Sequence, residues 1–96
     1  MASYSVDRAK HATLVASTVD TVTLGRDFNE VEILNRDGTA AIYFTVDGST
    51  PTVGGDNALV IPAVIGSVTE STLDISGTNV VKLISAGTPS YSVTGT

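Results

Sequence analysis

One histidine, ten acidic residues and no cysteine leave this 96-residue chain few ways to assemble catalytic or metal chemistry. His11 lies between Lys10 and Ala12. A nucleophile, base and orienter triad would have to use it, yet no partner for it is recognisable nearby, so it reads as an exposed residue of an N-terminal arm. Glu30 and Glu32 stand two apart and would share one face of a strand, as paired carboxylates might. They alternate with Val31 and Ile33, which makes theirs the solvated face, whereas glycosidase carboxylates flank a cleft on separate elements. Asp47, Asp56 and the carbonyls of the glycine-rich loop between them offer the hard oxygen ligands that calcium takes. That loop has the spacing of no calcium motif, and turn chemistry accounts for each aspartate. Gly54-Gly55 lacks the lysine and the following helix of a phosphate cradle. The absence of cysteine removes disulfides, thiolate metal sites and thiol nucleophiles together. No catalytic residue, metal site or cofactor is expected, and the chain is not read as an enzyme.

The charge balance narrows the partners. Ten acidic residues against five basic ones, with a sequence pI near 4.4, argue against a phosphate backbone or an anionic membrane as partner. The first residues, MASYSVDRAKHATL, carry charges where a signal peptide needs its apolar run, and no window approaches a membrane span. Synthesis in a cytoplasm-like compartment is the expectation.

The elements that would position any site are strands. Thirteen valines, fourteen threonines and six isoleucines dominate the chain, and β-branched side chains suit a pleated sheet better than a helix. The spacing predicts one long or two consecutive strands over Thr13 to Leu24, with Val15, Val22 and Leu24 inward and a kink near Asp20 and Thr21. Glu30 to Leu34 alternates strictly, with Val31 and Ile33 inward. Asn35-Arg36-Asp37-Gly38 is a strong turn signal of the hairpin kind, Gly38 supplying a positive φ. The next strand is Thr39 to Val46, with Ile42, Phe44 and Val46 inward, and a second turn follows at Asp47-Gly48. Ser49 to Asn57 should form a surface loop. Ala58 to Ile65 is almost wholly apolar, but Pro62 makes it an edge strand or a broken one. Val68 to Ile75, Asn79 to Ser85 and Ser90 to Thr94 complete the set, separated by Gly77 and by Gly87-Thr88-Pro89.

Seven or eight short strands without a covering helix bury their apolar faces only against each other. The expected fold is all-β: a two-sheet β-sandwich of immunoglobulin or fibronectin type III kind, with a small β-barrel as the alternative. Residues 1–11 read as an arm outside the core, and residues 12–96 as the single domain. Ile33, Ile42, Phe44 and Leu83 are expected in its core.

Two resemblances attach to particular residues. Ala41 to Thr52, AIYFTVDGSTPT, resembles the strand-turn motif Tyr-x-Thr-x-Asp-Gly-Ser-x-Pro-Thr of the small fibronectin-like modules that end chitobiase and hexosaminidase chains. This motif covers about an eighth of the chain and specifies a turn rather than an activity. The longer pattern from VEILNRDGTAAIYFTVDGSTPTVGGDNALVIPAV to VVKLISAGTPSYSV is similar to small virion proteins of tailed phages that infect actinobacteria. That resemblance implies a structural role in head or tail, foremost as a capsid decoration (cement) protein seated on the major capsid protein lattice at the virion surface. A carbohydrate-binding or adhesion module and a tail accessory protein stand as alternatives, and a glycan is the alternative ligand. Contact with the partner is expected from Arg8 and Lys10 of the arm and from Ser49, Thr50, Pro51, Thr52 and Asp56 of the loop. Asp37, Gly38, Asp47 and Gly48 are structural turn residues. A homo-oligomer is possible on such a lattice, a trimer at a threefold position included.

Overall fold

The computed structural model describes residues 2–26, 28–71 and 79–96, with Glu70 and Ser71 described by their backbone alone. Asp27, Gly77 and the part of the expected Val68 to Ile75 strand that lies beyond Ser71 fall outside the described residues.

Nine strands occur among the described residues: β1 (Ala2–Ser5), β2 (Ala9–Thr13), β3 (Asp20–Thr23), β4 (Glu30–Asn35), β5 (Ile42–Thr45), β6 (Leu59–Ile61), β7 (Gly66–Ser71), β8 (Val80–Ile84) and β9 (Ser90–Gly95). They form two sheets, ordered β1-β3-β8-β5-β6 and β2-β9-β4-β7. The fold is therefore the expected all-β, two-sheet β-sandwich rather than a closed barrel. Every strand pair is antiparallel except β1 with β3. Only the β5–β6 connection stays within one sheet; every other step between successive strands crosses to the opposite sheet. The two layers are thus laced together by the chain itself as well as by their packing.

Alternation builds the core. Val31 and Ile33 of β4, Ile42 and Phe44 of β5, and Val81 and Leu83 of β8 all point inward and are buried, while Glu30 and Glu32 face solvent. Leu14, Val22, Leu24, Phe28, Val46, Ile61, Tyr91 and Val93 complete the same cluster. One register expectation is corrected. Val15 is 62% exposed and Leu14 is buried in its place, because both lie beyond β2 on the stretch that carries the chain to the other sheet, where strand alternation no longer applies. The predicted kink at Asp20 and Thr21 is also displaced. The chain changes sheets over Leu14 to Val19 instead, where Ser17 has a φ of 56°, and Asp20 and Thr21 lie within β3.

The N-terminal arm is a second correction. Ala2–Ser5 pairs with β3, and Ala9–Thr13 pairs with β9 from Ala9↔Thr94 to Thr13↔Ser90. Tyr4, Val6 and Ala12 pack against the core, so residues 2–13 belong to the domain. These short polar segments gain their place through backbone pairing with strand edges, which leaves little apolar pattern in the sequence.

Asp37-Gly38 marks a turn, but a crossover and not a hairpin: β4 and β5 lie in different sheets. Gly38 has a φ of 66°, as the sequence requires, and Gly48 has a φ of 86° in the β5–β6 loop. Pro62 ends β6, an edge strand as expected.

Candidate functional site

The largest departure from ordinary surface chemistry surrounds β6. From Asn57 to Thr69 the sequence holds no charged residue. Within it Leu59, Val60, Val64 and Ile65 are exposed, Ile65 by 72%, and Pro62 and Ala63 are exposed beside them. Val53, in the loop leading to β6, is exposed too. Scattered exposed apolar side chains are normal, but Pro62-Ala63-Val64-Ile65 is an unbroken exposed run. Contiguous exposed apolar patches are uncommon on the surfaces of monomeric proteins and are often functional.

Here the backbone is held from beneath. Asn35, fully buried at the end of β4, donates through Nδ2 to the carbonyls of Ala40 (2.9 Å) and Pro62 (3.2 Å). Its Oδ1 accepts the Gly38 N–H at 3.0 Å. Gly38 itself lies so close to the 64–65 backbone that a Cβ at this position would stand 2.9 Å from the Ile65 nitrogen and from the Val64 carbonyl carbon. The Val64 N–H donates to the Pro62 carbonyl at 2.7 Å. One buried amide and one glycine therefore fix the crossover, and the side chains of Val64 and Ile65 turn outward from it.

Asp37 braces the same turn. Its Oδ1 accepts the Thr39 N–H (3.2 Å) and hydroxyl (3.1 Å), and its Oδ2 accepts the Ser90 N–H at 3.0 Å. These bonds, the one from Ser90 foremost, hold the Asp37 carboxyl below the usual carboxylate range. Asp47 does likewise for the β5–β6 loop. It accepts the Ser49 hydroxyl at 2.6 Å and the Ser49 N–H at 3.0 Å, the hydroxyl bond being the larger cause of its lowered pKa.

The sequence-predicted contact residues fall in two groups that the fold keeps apart. Ser49, Thr50, Pro51, Thr52 and Asp56 share the β5–β6 loop, although Pro51 is buried there and anchors rather than displays. Thr45 donates its hydroxyl to the Ser49 carbonyl at 2.5 Å, and Asn57 donates to the Thr50 carbonyl at 3.3 Å. Arg8 and Lys10 stand at the other group. Lys10 is occupied over the Tyr4 ring, with its Nζ 4.2 Å from the centroid. Arg8 donates through Nε to the Gly95 carbonyl at 2.9 Å, which leaves the outer edge of its guanidinium to solvent.

Arg8 also lines a cleft of about 430 Å³ with Arg26, Phe28, Asn29 and Thr96. Arg26 lies over Phe28, 4.7 Å from the ring centroid. Two of the five cations of an acidic chain thus meet at one end of β4, about 17 Å along the strand, at about 3.4 Å per residue, from Asn35 and the apolar face.

Other chemistries find little support. His11 is exposed on β2, its Nδ1 2.6 Å from the Ser92 hydroxyl. Among the described residues, no three of histidine, cysteine, aspartate and glutamate come together as a metal site would need. Tyr91, Phe44 and Phe28 are buried and Tyr4 and Tyr43 half-buried, so none of the five aromatic side chains is fully exposed. No helix of the described residues is long and apolar enough to cross a membrane.

The apolar face was not singled out by reading the sequence for site residues, and Arg26 was missed as well. The signal for the first was present: an apolar run without alternation, around a proline, flanked on both sides by uncharged residues. No family model, no curated protein and no solved structure matches this chain.

Proposed function

We propose that this chain is a virion assembly protein, a capsid decoration protein that seats on the major capsid protein lattice and performs no catalysis. The observation that carries the reading is the pair of cations, Arg8 and Arg26, gathered at one end of an otherwise acidic sandwich, and the pinned apolar run Pro62 to Ile65 marks the molecule as one that assembles with protein. A fixed apolar surface without charges is suited to burial against protein.

At the far end of β4, the Arg8 and Arg26 guanidinium groups supply the complementary kind of contact. They suit acidic side chains on a capsid surface, where Arg forms planar, bidentate pairs with carboxylates. The net charge of −5 keeps the remaining surface outward and soluble on a crowded particle. Many copies on one lattice would reinforce a weak individual contact through avidity.

The test is co-sedimentation of the purified protein with undecorated phage heads at low and high salt. Saturable binding is expected, weakened by salt and by the double change Arg8→Gln with Arg26→Gln. Heads that stay bare at saturating protein in both salts would retire the reading.

A further inference from the structure

We infer that the apolar face around β6 is covered by a second copy of this chain, through twofold pairing of β6 with β6 of the other protomer. The inference rests on the reading of that face as a protein-docking surface and names its occupant.

Three observations lead to a second copy. First, β6 ends its sheet, so among the described residues nothing pairs with its outer side. Edge strands of natural proteins are blunted by shortness, proline or charge; β6 is short and stopped by Pro62, but it reads Leu59-Val60-Ile61 and carries no charge. Second, a twofold contact brings a patch against itself, so it tolerates only surfaces that are their own complement. An uncharged apolar patch meets that condition. In a chain of net charge −5, contact through most other surfaces would set like charges face to face, whereas Asn57 to Thr69 contributes none. Third, antiparallel pairing of two identical strands has twofold symmetry by construction. Centred on Val60, it places Leu59 opposite Ile61 of the other copy and joins the two five-stranded sheets edge to edge.

Pro62 sets the limit of this pairing. Having no N–H to donate, it stops the ladder after Ile61, and the pinned crossover then turns away toward β7. The result is a closed pair rather than an open-ended stack. Val64 and Ile65, held outward by the Gly38 contact, flank the paired strands. Leu59, Val60, Val64 and Ile65 all gather at this edge of the sandwich, each 42% exposed or more, and the uncharged surface from Asn57 to Thr69 borders them.

Sedimentation equilibrium of the full chain over a wide concentration range is the test, with Val60→Lys, Ile65→Lys and Val15→Lys as variants. Val15 is exposed on the 14–19 crossover outside this uncharged stretch, so it controls for lysine substitution as such. The wild type and Val15→Lys should reach the mass of a dimer, and Val60→Lys and Ile65→Lys should raise the dissociation constant at least tenfold. All four should keep the same circular dichroism spectrum, since each replaced side chain is already exposed. A wild type that stays monomeric up to millimolar concentration, a mass above the dimer, or a dimer indifferent to both face variants would overturn the inference. Head binding measured on the same samples separates the two proposals. A monomer that decorates heads removes the second copy and leaves the assembly reading, and a dimer with bare heads does the reverse.

Discussion

The Tyr91 hydroxyl donates to the Asp20 carboxylate at 2.9 Å, both side chains are buried, and the bond joins β9 of one sheet to β3 of the other. It is a polar tie across a largely apolar interior. Among the described residues every buried side-chain nitrogen and oxygen has a hydrogen-bond partner. Removing one member therefore strands the other.

Tyr91→Phe should destabilise the domain by about 1–3 kcal/mol, the cost of leaving a buried carboxylate short of its donor. The denaturant midpoint measures it. The added change Asp20→Asn should recover part of the loss, because a neutral amide is cheaper to leave unpaired than a charge. Equal stability of Tyr91→Phe and wild type would show that the tie contributes nothing.

The two turn glycines should differ in their sensitivity. Gly48 has a φ of 86° but nothing within 4 Å of its missing side chain, so Gly48→Val should lose at least about 1 kcal/mol from backbone strain alone. Gly38 has both a φ of 66° and the Val64–Ile65 backbone against it. Gly38→Ala should cost about 1–3 kcal/mol for the strain and more for the overlap. Comparison of the two denaturation midpoints checks the order, and a more tolerant Gly38 would contradict the pinned crossover.

Stability should hold over a window bounded by opposite titrations. Asp37 and Asp47 have carboxyls depressed by hydrogen bonds, so what they contribute is present above the ordinary aspartate pKa of about 3.9 and is lost as pH falls through their folded values. Tyr91 is shifted the other way by burial first and by the Asp20 bond second. Its contribution is present below the ordinary tyrosine value of about 10 and is lost as pH rises toward its folded pKa. Thermal midpoints across pH should therefore fall below about pH 4 and above about pH 10. Asp37→Asn should flatten the acid limb and Tyr91→Phe the alkaline one.

Much of the core was legible because alternation is a direct consequence of the pleat. Val31 and Ile33, then Ile42, Phe44 and Val46, announce their faces in the sequence, and Gly38 and Gly48 announce their φ. What a turn residue does not encode is which sheet the next strand joins. Asp37-Gly38 has the chemistry of a hairpin turn, yet it carries the chain across the sandwich, since Ser90 holds it through Asp37 and Pro62 through Asn35, both remote in sequence. Ala2–Ser5 and Ala9–Thr13 were illegible for another reason. Their strand state is decided by the free edges of β3 and β9, which are remote in sequence. The same holds for the candidate site: the apolar run at 62–65 is visible as letters, but its exposure depends on Asn35 and Gly38 reaching it from another layer.

Image reconstruction of undecorated heads mixed with saturating protein tests the central claim most directly. The account predicts added density at symmetry-related positions in fixed ratio to the major capsid protein, with the Arg8 and Arg26 end of the sandwich toward the shell. Heads identical in density with and without the protein would contradict it.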